Sequence, residues 1–490
     1  MSVKVNIDEK TLNNLDRANL DIIFQSYASQ FLQNKYLYER YTRKNAILLM
    51  CNEKDDTKLK PIIALESQLI DTATGYGLGK EVTYYDKSDN NFKKETKYNL
   101  AYGIKSEFIK KLDETKENAY LDKLLDIFVS NNIHSHDMSI LRDCLISGSA
   151  DEMVYTDTEG NIQVARVRDD SIAFYDNSIK PQMIGFCRKV VIKNPLTKDE
   201  SNYDYELYTN SKHIVYHQGG DYEVLKYGSI EINNIPFVRY DIGGSYIAKL
   251  ISEIRSYELV TGNTKKILNY NDDAILLISG YMFEQGKTQE EVDKAIEEFK
   301  TKGALFLDAE EGTKAEWLTK KIDDGANENH KKNLKDDIYT IAGTFNPAND
   351  NMVYQNTLSL MFKMYGLETK MVGYLAQIKK GFAKRCKLIT NILNFSSNSN
   401  NFDSNNIDMT FTRNVPTNTN EELNLINQAR DFLPLEELYK MVSFVENPQE
   451  MVQKWKAWQI EKAKLDIEIE KIRASATEQD IMPDRLSSDE

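Results

Sequence analysis

The stretch from Tyr246 to Asn394 constrains the fold most. Its apolar residues fit a helix, an interrupting module, a returning helix and a much longer third helix. Ile247, Leu250, Ile251, Ile254 and Tyr257 recur at the spacing of one helical face. Leu334, Ile338, Ile341 and Phe345 form a second such stripe. Asp272 to Lys321 lies between them, and its ends must lie close together if the two helices pair antiparallel. A polar loop covers Pro347 to Gln355. The pattern then resumes at Leu358, Met361, Phe362 and Tyr365 and continues through Val372, Leu375, Phe382, Cys386, Ile389 and Leu393. At about 1.5 Å per residue that last helix would run roughly 60 Å, too long for one small core. It is expected to cross several layers or subunits.

The inserted module has its own pattern. Ile275–Phe283 reads as a strand and Thr288–Lys300 as a helix, with Thr288 and Glu291 at capping-box spacing. Val292, Ala295, Ile296 and Phe299 are its buried stripe, and strands at Ala304–Asp308 and Ala315–Ile322 complete a sheet. About fifty residues make a marginal core, so neighbouring copies are expected to help bury it. Asp272 to Lys321 holds twelve Asp or Glu against seven Lys or Arg, a net of −5. A solvated acidic surface and an acidic ring facing a channel are both open readings.

Upstream, residues 11–50 read as helical, with a stripe of Leu20, Ile23, Phe24, Phe31 and Leu32. A second helix follows Pro61 through Leu65, Leu69 and Ile70. It is expected to stop in a tight turn at Gly75, Gly77 and Gly79, ahead of a strand at Val82–Tyr85. That glycine run is not a phosphate loop, because the order is helix to strand and the Walker positions fail. Helices are expected near 100–112 and 119–148. From Glu152 the period becomes two. Met153–Thr156 and Ile162–Val167 flank a hairpin turn at Asp157 to Asn161. Strands at Ile172–Tyr175, Cys187–Ile192, Tyr205–Tyr208, Ile214–His217 and Tyr222–Tyr227 complete an α+β half with an antiparallel sheet. After the polar run Ser396–Asn406 come a short strand at Met409–Arg413 and helices at Glu421–Asp431, Leu435–Phe444 and Pro448–Arg473. A disordered acidic tail is expected from Ser475.

At 490 residues the chain has room for about three packed regions. A net charge of −14 disfavours electrostatic capture of nucleic acid. It does not exclude DNA, since a protein that lets DNA slide should avoid many phosphate contacts. Four dispersed cysteines without a CxxC fit reduced synthesis, and no run approaches eighteen apolar residues, so the chain is expected to be made soluble. HExxH, GxSxG and Walker A motifs are missing, and no carboxylate spacing argues for a metal. His134 and His136 have no ligand-spaced partner and read as surface or capping histidines. No catalytic residue, metal or cofactor is therefore assigned. The alternatives are an intracellular multidomain enzyme with an active site assembled from distant carboxylates, and a monomeric scaffold that binds partners through its helical C-terminal part.

The order of parts resembles the portal proteins of tailed double-stranded DNA bacteriophages, of the long-tailed siphophage type, over about Tyr36 to Lys462. The residues that carry the resemblance are the turn Tyr76-Gly-Leu-Gly79-Lys-Glu-Val82, the hairpin Tyr155 to Asn161, and Ile235-Pro-Phe237 ahead of the first helix. Leu358-Ser-Leu360, Met409-Thr-Phe-Thr-Arg413 and Asn447-Pro-Gln-Glu450 add to them. The resemblance implies a non-enzymatic ring, usually of twelve subunits, at one capsid vertex of the virion, made in the host bacterial cytoplasm. Residues 1–240, with the strand near 409–413, would form a wing. Residues 241–271 and 323–345 would be the stem helices and 272–322 the clip. Residues 346–355 would be a tunnel loop, 356–419 the long tunnel-crossing helix and return to the wing, 420–475 a helical crown, and 476–490 the tail. The implied partners are the terminase large subunit, a head-completion or adaptor protein at the clip, and the major capsid and scaffolding proteins. Double-stranded DNA would pass through the channel without sequence readout. Asn346, Asn349, Asp350, Asn351, Tyr354 and Gln355 would face that DNA: neutral polar groups touch it without trapping it, and Asp350 repels phosphate.

Overall fold

The structure, a computed structural model, describes residues 2–43, 63–86, 119–192, 202–210, 212–218, 222–225, 235–272, 275–279, 314–318, 324–346, 362–396, 402–414, 419–440 and 448–479. They divide into two compact units. One comprises Met1–Asn346 and Gly366–Asn414; the other comprises Pro347–Tyr365 and Val415–Glu490.

The larger unit begins with β1 (Ser2–Asn6) and three helices, α1 (Glu9–Asn13), α2 (Arg17–Ser26) and α3 (Ala28–Thr42). The single helix expected over 11–50 is thus broken. Asp8 and Asp16 each accept a hydrogen bond from a backbone N–H three residues on, at 2.8 Å, and so start new helices. Next come α4 (Leu65–Leu78), β2 (Thr83–Asp86), α5 (Ala119–Ser130) and α6 (Ile133–Ser147). The expected 119–148 helix is split where Asn132 takes a left-handed conformation, φ 48°. Eight strands follow: β3 (Ser149–Thr156), β4 (Ile162–Val167), β5 (Asp170–Tyr175), β6 (Met183–Val191), β7 (Tyr203–Thr209), β8 (His213–Tyr216), β9 (Tyr222–Leu225) and β10 (Phe237–Asp241).

The main sheet has the order β1-β5-β6-β7-β8-β9. It is antiparallel except at its edge, where β1 lies parallel to β5 with Val3 beside Ile172. Period-two alternation gives it two apolar faces. On one, Ile172, Phe174, Cys187, Tyr205 and Leu207 pack under Leu12, Leu20, Phe24 and Phe31 of the first helices. Leu32, expected in that stripe, is instead exposed. On the other face, Ala173, Phe186 and Tyr208 meet Ile235 and Phe237, which lead into a three-stranded sheet of order β10-β3-β4. The hairpin between β3 and β4 forms as expected. Asp157 accepts the backbone N–H groups of Glu159 and Asn161, and Gly160 supplies the positive φ.

The helix ends inside the glycine run as expected, but only at its last member: α4 continues through Gly75 and Gly77 to Leu78 and is capped by Gly79. A Cβ on Gly77 would stand 3.1 Å from Leu141 and 3.2 Å from Met371, so that glycine permits close packing of helices. The paired helices are α7 (Ile251–Asp272) and, after β11 (Ile275–Ser279) and β12 (Lys314–Leu318), α8 (Asp324–Ala342). α7 and α8 pack together, and β11 and β12 pair antiparallel, with Leu276 beside Trp317. The expected helix 288–300 and strand 304–308 lie outside the described residues.

The long helix, α9 (Tyr365–Ser396), has 32 residues, or about 48 Å. Its buried stripe is Leu367, Met371, Leu375, Ile378, Phe382, Cys386 and Ile389, whereas Phe362, Tyr365 and Val372 are exposed. In α8, Ile338, Tyr339 and Ala342 are buried while Ile341 is exposed. Strand β13 (Ile407–Thr410) pairs with β2. The smaller unit contains α10 (Thr419–Ala429), α11 (Leu435–Lys440) and α12 (Pro448–Gln479). α12 carries helix past Ser475, where a disordered tail was expected to begin.

Candidate functional site: the base of the polar loop

α8 delivers the chain to the loop that the sequence singles out, and its last turn is closed at every carbonyl. An α-helix leaves its last four C=O groups without partners inside the helix. Here Thr344 N–H donates to Tyr339 O and Gly343 N–H to Thr340 O, both at 3.0 Å, with Gly343 at φ 81°. That is a Schellman end, which needs a residue tolerant of the left-handed region. The remaining two carbonyls are taken from outside the helix. Lys370 Nζ donates to Ile341 O, and the Tyr246 hydroxyl donates to Ala342 O at 2.9 Å. Lys370 Nζ also stands 5.6 Å from the centre of the Tyr246 ring. A cation at this end complements the negative pole of the helix. Burial, and then the charge of Lys249, lower the Lys370 pKa.

The returning chain touches the same turn. A Cβ on Gly343 would lie 2.7 Å from the Gly366 carbonyl carbon, and one on Gly366 would lie 2.9 Å from Gly343 Cα. Departure and return are therefore held backbone to backbone, and only glycine fits on either side. Of the predicted loop residues, Asn346 sits beside this turn and is buried. Asn349, Asp350, Asn351, Tyr354 and Gln355 lie outside the described residues.

A second cluster lies in the interior of the same unit, where α9 crosses α6, β3 and β10. Arg385 is wholly buried. Its Nε donates to Glu152 Oε1 at 2.9 Å and its Nη2 to Glu152 Oε2 at 2.7 Å, while Nη1 stands 2.7 Å from Asp137 Oδ1. The Tyr240 hydroxyl donates to Glu152 Oε1 at 2.8 Å, and His136 Nε2 stands 3.0 Å from Glu152 Oε2. His136 is therefore packed against a carboxylate rather than a surface or capping group. Burial alone would raise the Glu152 pKa; Arg385 and His136 outweigh it and hold the carboxyl down at about 2. Burial dominates at Asp137 and lifts it to about 6 against the pull of Arg385. The guanidinium occupies the centre of this acidic group. Among the described residues, no set of three His, Cys, Asp or Glu side chains could hold a metal ion.

The sequence reading assigned no role to Gly343, Tyr246 or Lys370. The signal available was Gly343 itself, which falls between Ile341 and Phe345 of the apolar stripe and is followed within four residues by Pro347. Arg385 gave no local signal, because Asp137, Glu152 and Tyr240 are far away in the chain.

A family model described as phage portal protein, SPP1 Gp6-like, matches residues 20–465. Among curated proteins, none matches the chain. Similar solved structures include one titled "Neck of empty GTA particle computed with C6 symmetry", 13% identical over 80% of this chain and 92% of that one, with a TM-score of 0.40. Another is titled "Virion of native gene transfer agent (GTA) particle", 11% identical over 82% and 91%, with a TM-score of 0.41.

Proposed function

The chain belongs to the SPP1 Gp6-like phage portal proteins, and on that footing we propose that it assembles as a dodecameric ring at the capsid vertex and serves as a conduit for DNA. The family match, spanning residues 20–465, carries this reading. The ring has no enzymatic activity of its own. The terminase large subunit docks on it and supplies the hydrolysis that drives packaging, and a head-completion or adaptor protein later binds the clip. Major capsid and scaffolding proteins surround it during assembly.

Within the subunit, α7 and α8 are the stem, and the module between them, with β11 and β12, is the clip. α9 crosses towards the wing, and the helices from Thr419 onward form the crown. The loop beginning at Asn346 enters the channel, where Asn349, Asn351, Tyr354 and Gln355 offer neutral polar contacts to DNA and Asp350 limits capture of phosphate. The closed end of α8 supports this assignment, since a loop that meets moving DNA needs a fixed root.

Asn349→Ala combined with Tyr354→Ala tests the loop. Rings should assemble at wild-type yield, while the amount of DNA packaged or retained per particle changes. Unfolded or unassembled protein would make the loop a structural element instead.

A further inference from the structure

We propose that Lys370 and Tyr246 are positioning residues that latch the root of the DNA-facing loop. They tie the end of one stem helix to the long helix and to the segment that enters the other stem helix. This rests on the loop reading given above and extends it to residues outside the loop. Three separate parts of the chain converge on the final turn of α8. Tyr246 lies on the segment leading into α7, Lys370 lies in α9, and the turn itself is the departure point of the loop. The two side chains take the two carbonyls, Ile341 O and Ala342 O, that the Schellman end leaves open. Tyr246 is buried, so its hydroxyl has no ready solvent substitute for Ala342 O. The Gly343–Gly366 contact keeps the two strands of the root within van der Waals distance. Any displacement of α9 relative to α7 must therefore either carry the loop root along or break these two hydrogen bonds.

The test uses the full-length chain, with Lys370→Met, Tyr246→Phe and their double variant beside Lys370→Arg. Tyr246→Phe removes one hydroxyl and keeps the ring, so it reports even if the double variant fails to fold. Hydrogen exchange of the peptide covering residues 339–346 should quicken about tenfold in Lys370→Met and in Tyr246→Phe, with peptides from β5 to β7 unchanged. Lys370→Arg, which keeps a cationic donor, should restore slow exchange. In assembled particles the same variants should alter DNA retention without lowering ring yield. Unchanged exchange at 339–346 overturns the latch. Altered DNA retention in the Asn349→Ala/Tyr354→Ala protein, with none in the latch variants, overturns the positioning role alone. No effect in either set overturns the loop reading, and the inference with it.

Discussion

Arg385 and Glu152 meet fork to fork inside the larger unit, with two hydrogen bonds of 2.9 and 2.7 Å and both side chains wholly buried. Residues 233 positions apart are thereby joined, and the long helix is fixed to β3. Such a pair brings geometric specificity, while removing one partner leaves an uncompensated charge in the interior.

Arg385→Met should therefore be among the most destabilising single changes in this unit, costing on the order of 3–5 kcal/mol. It strands both Glu152 and Asp137. Glu152→Gln should cost less, because Arg385 keeps Asp137 as a counter-charge. Urea unfolding at fixed protein concentration checks the order, and an equal or reversed ranking would show that Arg385 is not the centre of the cluster.

The same cluster sets a pH dependence. Burial lifts the folded Asp137 pKa to about 6 from the ordinary 3.8, so the folded state holds a proton that the unfolded state has released between those values. Its contribution is thus full near pH 4 and is lost as pH rises through about 6, by on the order of 3 kcal/mol. Glu152, at about 2, contributes stability that is present above about 4.5 and is lost as pH falls towards 2. Asp137→Asn, which imitates the protonated acid, should remove the decline between pH 4 and 6 and leave the acid limb in place. Thermal midpoints of the two proteins across pH 3–8 measure this directly.

Two glycines of α9 should respond in opposite directions to alanine. At Gly381 the new Cβ would fall 2.1 Å from Tyr240 Cε1. Tyr240 is held by Glu152 and Arg385, so the ring has little freedom to yield. Gly381→Ala should cost about 1–3 kcal/mol through overpacking. Gly373 has open space around its Cα, and Gly373→Ala should stabilise the helix by up to about 1 kcal/mol. Paired melting curves suffice to check the contrast.

Segments whose pattern is local were legible in the sequence. Strands β5 to β9 follow their period-two alternation, and the β3–β4 hairpin follows its Asp–Gly–Asn turn. Helices α7 and α8 and the inserted pair β11 and β12 follow apolar spacing. What failed depended on distant partners. Ser2–Asn6 is a strand only because β5, far along the chain, offers a parallel edge. Gly75, Gly77 and Gly79 signal a helix end locally, but the end falls only at Gly79, and Gly77, which lies against Leu141 and Met371, stays within the helix. In the long helix, Phe362, Tyr365 and Val372 suggested the wrong phase. Leu367, Met371 and Ile378 face the core, and Arg385, the most polar residue of the stripe, is wholly buried. Its burial follows from two acids on α6 and β3, which no spacing rule within α9 could reveal.

The most direct measurement of the central claim is the solution mass of the full-length protein, with averaged electron micrographs of the same fraction, taken alone and after co-production with capsid and scaffolding proteins. The portal assignment predicts a particle of twelve 56.5 kDa chains around an open channel in at least the co-produced sample. A discrete dimer without a central hole, at every concentration and in both samples, would contradict it.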